Sequence, residues 1–212
     1  MNIKVDNLTL RYGQASLFQD IGFEITAGQK VCIVGQSGSG KTSLLKALMG
    51  LVVPAEGKVL IEGEPLTEKS VWLLRKHIAY VSQEPDLGEG IVIDRLRRPF
   101  DYHANAHLEW DRGAVLDYFQ KFRLDEKLLD NDISDVSGGE KQRIAIIIAL
   151  LLKRPILLLD EPFSALDKET KREIKEHLKN DTSRTILFIS HEDSLLQIAD
   201  RTIDLSDSGG RR

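Results

Sequence analysis

Eight residues near the start of the chain narrow its possible folds more than the rest of the sequence does: Gly35-Gln36-Ser37-Gly38-Ser39-Gly40-Lys41-Thr42, spaced G-x-x-x-x-G-K-T. Alone, such a stretch is a glycine-rich turn that happens to contain a lysine. Its flanks decide otherwise. Lys30-Val31-Cys32-Ile33-Val34 before it is a short apolar run suited to a buried parallel strand. Ser43 to Met49 after it has helical composition and spacing. A strand, a glycine-rich turn and a helix in that order make a cradle for phosphate. The glycines let the backbone approach closely, N–H groups point inward, and the helix N-terminus adds partial positive charge. The residues Gly35, Gln36, Ser37, Gly38, Ser39, Gly40, Lys41, Thr42 and Ser43 are therefore expected to line a nucleotide. Lys41 should reach the β- and γ-phosphates, and the Thr42 hydroxyl should ligate Mg²⁺.

At 212 residues the chain can bury a substantial core and reads as a single domain. Its formal charge of −4 argues against a nucleic-acid groove. A single cysteine, Cys32, excludes a disulfide within the chain, fits a reducing compartment and is expected to be a small core residue. Met1 to Asp6 shows no secretory h-region, and the longest wholly apolar run, Ile144 to Leu152, is far short of a membrane span. A soluble, cytoplasmic protein is expected.

Ile3, Val5, Leu8 and Leu10 give Ile3–Leu10 the alternation of a half-exposed strand. Ser16 onward reads as a turn followed by a strand over Ile21–Ile25, and Gly57–Gly63 as another short strand. These early strands should pair antiparallel. Ser70–His77 looks helical and Ile78–Val81 is an apolar strand ending at Ser82-Gln83. Between Glu84 and Ile133, Pro85, Gly88, Gly90 and Pro99 punctuate a loop-rich stretch, with an amphipathic helix over Arg112–Phe122. Ile144–Leu152 has no polar side, so a helix there should be buried all round. Strands over Ile156–Asp160, Thr185–Ser190 and Thr202–Leu205, with helices over Lys168–Asn180 and Asp193–Ala199, alternate as in a parallel sheet. The expected fold is α/β: a P-loop core with a mostly parallel sheet, an N-terminal antiparallel β-subdomain and an inserted α-helical subdomain. The core takes residues 1–84 and 155–205, the helical subdomain 85–154, and 206–212 is a polar tail.

Asp160-Glu161 closes an apolar strand. An acidic residue there holds Mg²⁺ in P-loop proteins. The second carboxylate has no metal duty and can take a proton from the attacking water, which makes Glu161 the candidate base. Ser137-Gly138-Gly139 precedes the apolar helix and offers a hydroxyl and bare N–H groups to an anion. His77, His103, His107 and His177 sit in polar contexts without metal-ligand spacing and read as surface residues.

With these elements in place, the chain resembles the ATP-binding cassette ATPases over nearly its whole length. Val136-Ser137-Gly138-Gly139-Glu140-Lys141-Gln142-Arg143 is similar to their signature sequence. The resemblance implies that Ser137, Gly138, Gly139 and Glu140 contact ATP held by a second copy, in a head-to-tail homodimer around two ATP. It implies that Tyr12 stacks on adenine and that Gln83 senses Mg²⁺ and couples to a membrane partner. It makes Ser164-Ala165-Leu166-Asp167 a loop that communicates across the dimer, and His191 a switch histidine at the γ-phosphate. Lys41, Glu161 and His191 are then the catalytic set, and Thr42, Gln83 and Asp160 the metal set. Val136 stands where leucine is usual and Glu140 where glutamine is usual; the Glu140 side chain is expected to point away from the ligand.

Gln83-Glu84-Pro85-Asp86-Leu87, with Gly90-Ile91-Val92 and Arg98-Pro99-Phe100, resembles a small bacterial single-cassette group that includes a metal (iron) exporter ATPase. The resemblance implies an ATPase subunit that drives a separate membrane permease from the cytoplasmic face of the inner membrane. The alternative is a soluble cassette ATPase that assembles or regulates a complex, as in iron–sulfur cluster assembly. The two would differ in the partner surface near Pro85 to Arg98.

Overall fold

In the computed structural model the described residues are 1–13, 15–190 and 196–206. The chain opens with β1 (Ile3–Tyr12), β2 (Ala15–Ile25) and, later, β4 (Glu56–Ile61) and β5 (Glu64–Pro65), which pair antiparallel in the order β2-β1-β4-β5. The apolar alternation of β1 changes phase after Val5, and the pairing with β2 shifts register between Val5 and Leu8. Asn7 takes φ 49 at that point, a left-handed conformation that asparagine tolerates, and this returns Leu8 and Leu10 to the core side. The turn expected at Ser16 does not occur. Strand β2 runs unbroken from Ala15 and holds its pairing through a second left-handed residue, Asp20 at φ 52.

Strands β3 (Lys30–Val34), β6 (Ile78–Val81), β7 (Ile156–Asp160), β8 (Thr185–Ile189) and β9 (Arg201–Asp204) form a parallel sheet in the order β6-β7-β8-β3-β9. Every residue of β7 and β8 is buried, as expected for strands covered on both faces. Leu157, Leu159, Ile186 and Phe188 face one hydrophobic core, which also holds Cys32. Ile156, Leu158, Leu187 and Ile189 face the other, which is completed by the antiparallel sheet and by α1 (Lys41–Leu48).

The expected helix over Ser70–His77 is one α-helical turn, α2 (Val71–Leu74), tightening into a 3₁₀ turn at Arg75–His77. Between β6 and β7 lie α3 (Val92–Arg97), several 3₁₀ turns, α4 (Arg112–Lys121) and α5 (Gly138–Leu151). The Asp111 carboxylate caps α4 by accepting from the Ala114 N–H at 3.2 Å. Helix α5 starts six residues before the apolar run and is not buried all round. Ala145 and Ile148 are only partly buried and line a cleft of about 480 Å³ with Pro85, Leu87, Arg95 and Arg98. Helix α6 (Lys168–Asn180) buries a single stripe, Thr170, Ile174 and Leu178.

His177, expected at the surface, is also partly buried. It lies edge-on to Tyr118 and near Phe122, and its Nδ1 accepts from Lys121 Nζ at 2.8 Å. Burial first, and then the Lys121 charge, push its pKa down to about 4. No helix among the described residues is long and apolar enough to cross a membrane.

Candidate ATPase site

The C-terminal edge of the parallel sheet gathers the functional side chains, because each parallel strand hands its chain to a loop on that edge. The loop from Gly35 to Gly40 joins β3 to α1. Gly40 caps the helix at φ 92 with no side-chain bond, and a Cβ there would lie 3.0 Å from the Phe18 ring and 3.1 Å from Leu17. Glycine is thus required at Gly40 twice, by conformation and by space.

Lys41 is 7% exposed and donates from Nζ to the carbonyls of Gly35 and Gln36, each at 2.9 Å. Its ammonium therefore lies across the loop it belongs to. The Ser39 hydroxyl, also in the loop, is buried with no hydrogen-bond partner among the described residues. A buried donor of that kind is costly unless a ligand satisfies it, and phosphate oxygen fits it.

Asp160 ends β7 and is 3% exposed. Its Oδ1 accepts from the Thr42 hydroxyl at 3.2 Å, and its Oδ2 accepts from the Tyr80 hydroxyl at 3.1 Å. The structure thus brings Lys41, Thr42 and Asp160 together, although β8 lies between β7 and β3, the strand that leads into the loop. Tyr80 was not among the expected site residues. The one sequence signal for it is a tyrosine inside the apolar run Ile78–Val81, since a buried phenol must find a polar partner. Burial, and then the Asp160 charge and hydrogen bond, raise the Tyr80 pKa far above its ordinary value, so the phenol stays protonated and donates.

Glu161 follows Asp160 with φ 44, left-handed for a non-glycine residue. Its carbonyl accepts from the Ser164 N–H at 3.3 Å and from the Ser164 hydroxyl at 3.2 Å, which closes the turn leading to Asp167. Asp167 caps α6 by accepting from the N–H groups of Glu169 and Thr170. Gln83 lies just past β6 and is exposed. Tyr12, at the end of β1, is 82% exposed and so offers a whole ring face. Ser190, after β8, is buried; His191 comes next and lies outside the described residues.

The Ser137–Glu140 stretch stands apart. Among the described residues no hydrogen bond joins it to the loop or to Asp160. Ser137 is the exposed N-cap of α5 and forms a capping box with Glu140. Glu140 Oε2 accepts from the Ser137 N–H at 2.9 Å and from its hydroxyl at 2.5 Å. The Glu140 side chain therefore turns back onto Ser137. Its carboxyl is held below the usual carboxylate range, chiefly by the Ser137 hydroxyl. Gly138 is open to solvent, whereas a Cβ on Gly139 would meet the Ala165 carbonyl oxygen at 2.8 Å.

A family profile described as "ABC transporter" matches residues 18–164. This chain belongs to the ABC transporter family. Membership of that ABC family makes it an ATP-binding ATPase. The "Probable iron export ATP-binding protein FetA" of Escherichia coli strain K12 is 32% identical over 211 residues, 98% of this chain and 92% of that protein. Among solved structures, a dimeric post-hydrolysis state of the ATP-binding cassette MJ0796 bound to ADP and Pi superposes with a TM-score of 0.83. It is 26% identical, over 99% of this chain and 97% of that one. A bacterial Atm1-family ABC exporter with ATP bound gives a TM-score of 0.85 at 27% identity, over 98% of this chain but 37% of the exporter chain. This chain thus spans little more than a third of that exporter chain.

Proposed function

We propose that two copies of this chain close head-to-tail over two Mg-ATP and that hydrolysis drives a separate membrane permease from the cytoplasmic face. The observation that carries the reading is the division of the site: Lys41, Thr42, Asp160 and Glu161 lie at one sheet edge, while Ser137, Gly138 and Gly139 stand at the start of α5 with no hydrogen bond to them among the described residues. Residues 1–84 and 155–205 are the nucleotide-binding core in this reading, and 85–154 the helical subdomain.

Lys41 exchanges its two loop carbonyls for the β- and γ-phosphates, and the Ser39 hydroxyl and the N–H groups from Gly35 to Ser43 surround the phosphate chain. Tyr12 stacks on adenine. Thr42, Asp160 and Gln83 would hold Mg²⁺, which neutralises phosphate charge when bound; an all-oxygen donor set of this kind suits that hard cation. Ser137, Gly138 and Gly139 meet the γ-phosphate held by the partner copy, and His191 contacts the γ-phosphate from its own copy.

Glu161 is the base for the attacking water. Its carboxylate takes the water proton as the water oxygen bonds to the γ-phosphorus, and the bond from that phosphorus to the bridging oxygen breaks, leaving ADP with the electron pair. The cleft lined by Pro85, Leu87, Arg95, Arg98, Ala145 and Ile148 is the proposed seat of the permease, beside the loop that carries Gln83.

The test is Glu161→Gln. Hydrolysis should fall roughly 10²–10⁴-fold. Light scattering behind size-exclusion chromatography should show a dimer with Mg-ATP and a monomer with Mg-ADP. Near-normal hydrolysis by this variant would overturn the assignment. Co-purification with a multispanning protein supports the permease; co-purification with soluble scaffold proteins alone supports the complex-assembly alternative.

A further inference from the structure

We infer that Tyr80 is a positioning residue of the ATPase site, its hydroxyl holding the buried Asp160 carboxylate beside Thr42 so that a divalent cation meets an already ordered ligand. The inference rests on the proposed metal role of Asp160.

Asp160 is 3% exposed, and a carboxylate removed from water must be satisfied by hydrogen bonds. It is held from two directions. Thr42 reaches Oδ1 from the start of α1, and Tyr80 reaches Oδ2 from β6, the strand paired directly with β7. The register puts Tyr80 opposite Leu158, two residues before Asp160, so the phenol ring spans the distance along the strand to the carboxylate. With Thr42 alone, the carboxylate could turn about its last torsion; a donor on each oxygen fixes that torsion.

Tyr80 suits this duty because its ring has few torsions and packs against the second core, so the hydroxyl is placed rigidly. Tyr80 also stands three residues before Gln83, on the same strand end. One side chain therefore ties the strand that leads to Gln83 to the strand that carries Asp160. Partners of this outer kind typically change metal affinity 10–100-fold when removed.

The experiment compares Tyr80→Phe with Asp160→Asn in the full chain. A fluorescent ATP analogue is titrated in EDTA and in Mg²⁺, and Mn²⁺ binding in the presence of ATP is followed by electron paramagnetic resonance. Tyr80→Phe should bind nucleotide in EDTA within about twofold of wild type, since among the described residues the Tyr80 hydroxyl bonds to Asp160 and not to the loop. Its Mn²⁺ affinity should fall about 10–100-fold, and the same change in an Asp160→Asn background should have no further effect. If Asp160→Asn lowers Mn²⁺ affinity but Tyr80→Phe does not, the inference is overturned while the proposed function stands. If Asp160→Asn leaves Mn²⁺ affinity unchanged, the metal role of Asp160 fails first.

Should Tyr80→Phe fail to fold, wild-type protein labelled at the tyrosine ring decides. The chain has four tyrosines, so the Tyr80 signal can be assigned by replacing Tyr12, Tyr102 and Tyr118 in turn. Addition of Mg²⁺ to the ATP-bound protein should shift that signal, and an unmoved signal overturns the inference.

Discussion

Replacing Glu140 by glutamine should tighten the ATP-dependent dimer about 30-fold. In the capping box the Ser137 hydroxyl donates its proton to Glu140 at 2.5 Å. A serine hydroxyl has one proton, so it cannot serve Glu140 and a partner's γ-phosphate together. A hydrogen bond to a charged acceptor contributes about 1.5–3 kcal/mol and one to a neutral acceptor about 0.5–1.5 kcal/mol. Glutamine therefore lowers the cost of releasing the hydroxyl by about 1 kcal/mol per site. In the proposed dimer two sites close, giving about 2 kcal/mol, or about 30-fold in the dimerisation constant. Loss of a negative charge beside the phosphate acts in the same direction. The assay is sedimentation equilibrium with Mg-ATP, comparing Glu161→Gln with the Glu140→Gln/Glu161→Gln double variant, and Mg-ADP as control.

Glutamine still accepts from the Ser137 N–H, now 2.9 Å from the carboxylate, so the monomer should lose less than about 1 kcal/mol of stability. Because the Glu140 carboxyl titrates below its ordinary range, its contribution is complete above the unfolded glutamate pKa and is lost as pH falls through the lower folded value. The variant should lack that acid-side loss. A double variant whose dimer is no tighter, with its melting temperature unchanged, would refute the reasoning.

Lys41→Ala removes a buried ammonium that two phosphates would share, and fluorescent-nucleotide titration should show affinity falling by at least about 100-fold. A Cβ on Gly138 meets no atom within 4 Å, so with Gly138→Asp nucleotide binding to the loop should persist while hydrolysis falls strongly; wild-type turnover would show that α5 does not complete the site. For His177, the unfolded chain takes up a proton near pH 6.5 and the folded chain only near 4. Stability should thus fall as pH drops through that window, by about 3 kcal/mol in full. Urea denaturation at pH 7 and 4.5 should show a smaller fall for His177→Phe, which keeps an aromatic ring against Tyr118 and Phe122.

The strand–loop–helix unit and β7 were legible because their signals are local: a glycine spacing, and apolar runs ending at defined polar residues. What was not legible depends on partners distant in sequence. Strand β2 looked like a turn because its residues before Ile21 are strand-forming only when paired with Leu10 to Tyr12. His177 looked exposed because the rings that cover it come from α4 and its C-cap, more than fifty residues earlier. Tyr80 passed as core, since nothing in its own run says that a carboxylate from β7 will reach its hydroxyl. The cleft beside Ala145 and Ile148 was hidden for the opposite reason: an apolar helix face left partly uncovered reads in sequence just like a covered one.

The left-handed backbone at Glu161 has a consequence for the thermal tolerance of the fold. A side chain at φ 44 costs about 1–2 kcal/mol that a glycine would not incur. A chain shaped for heat resistance alone would replace Glu161 with glycine and gain that energy. It would also lose the one carboxylate that follows Asp160 at the end of β7. Under the proposed mechanism, the substitution that relieves this turn would also remove the base, and a screen for thermostable variants that ignores turnover should recover it.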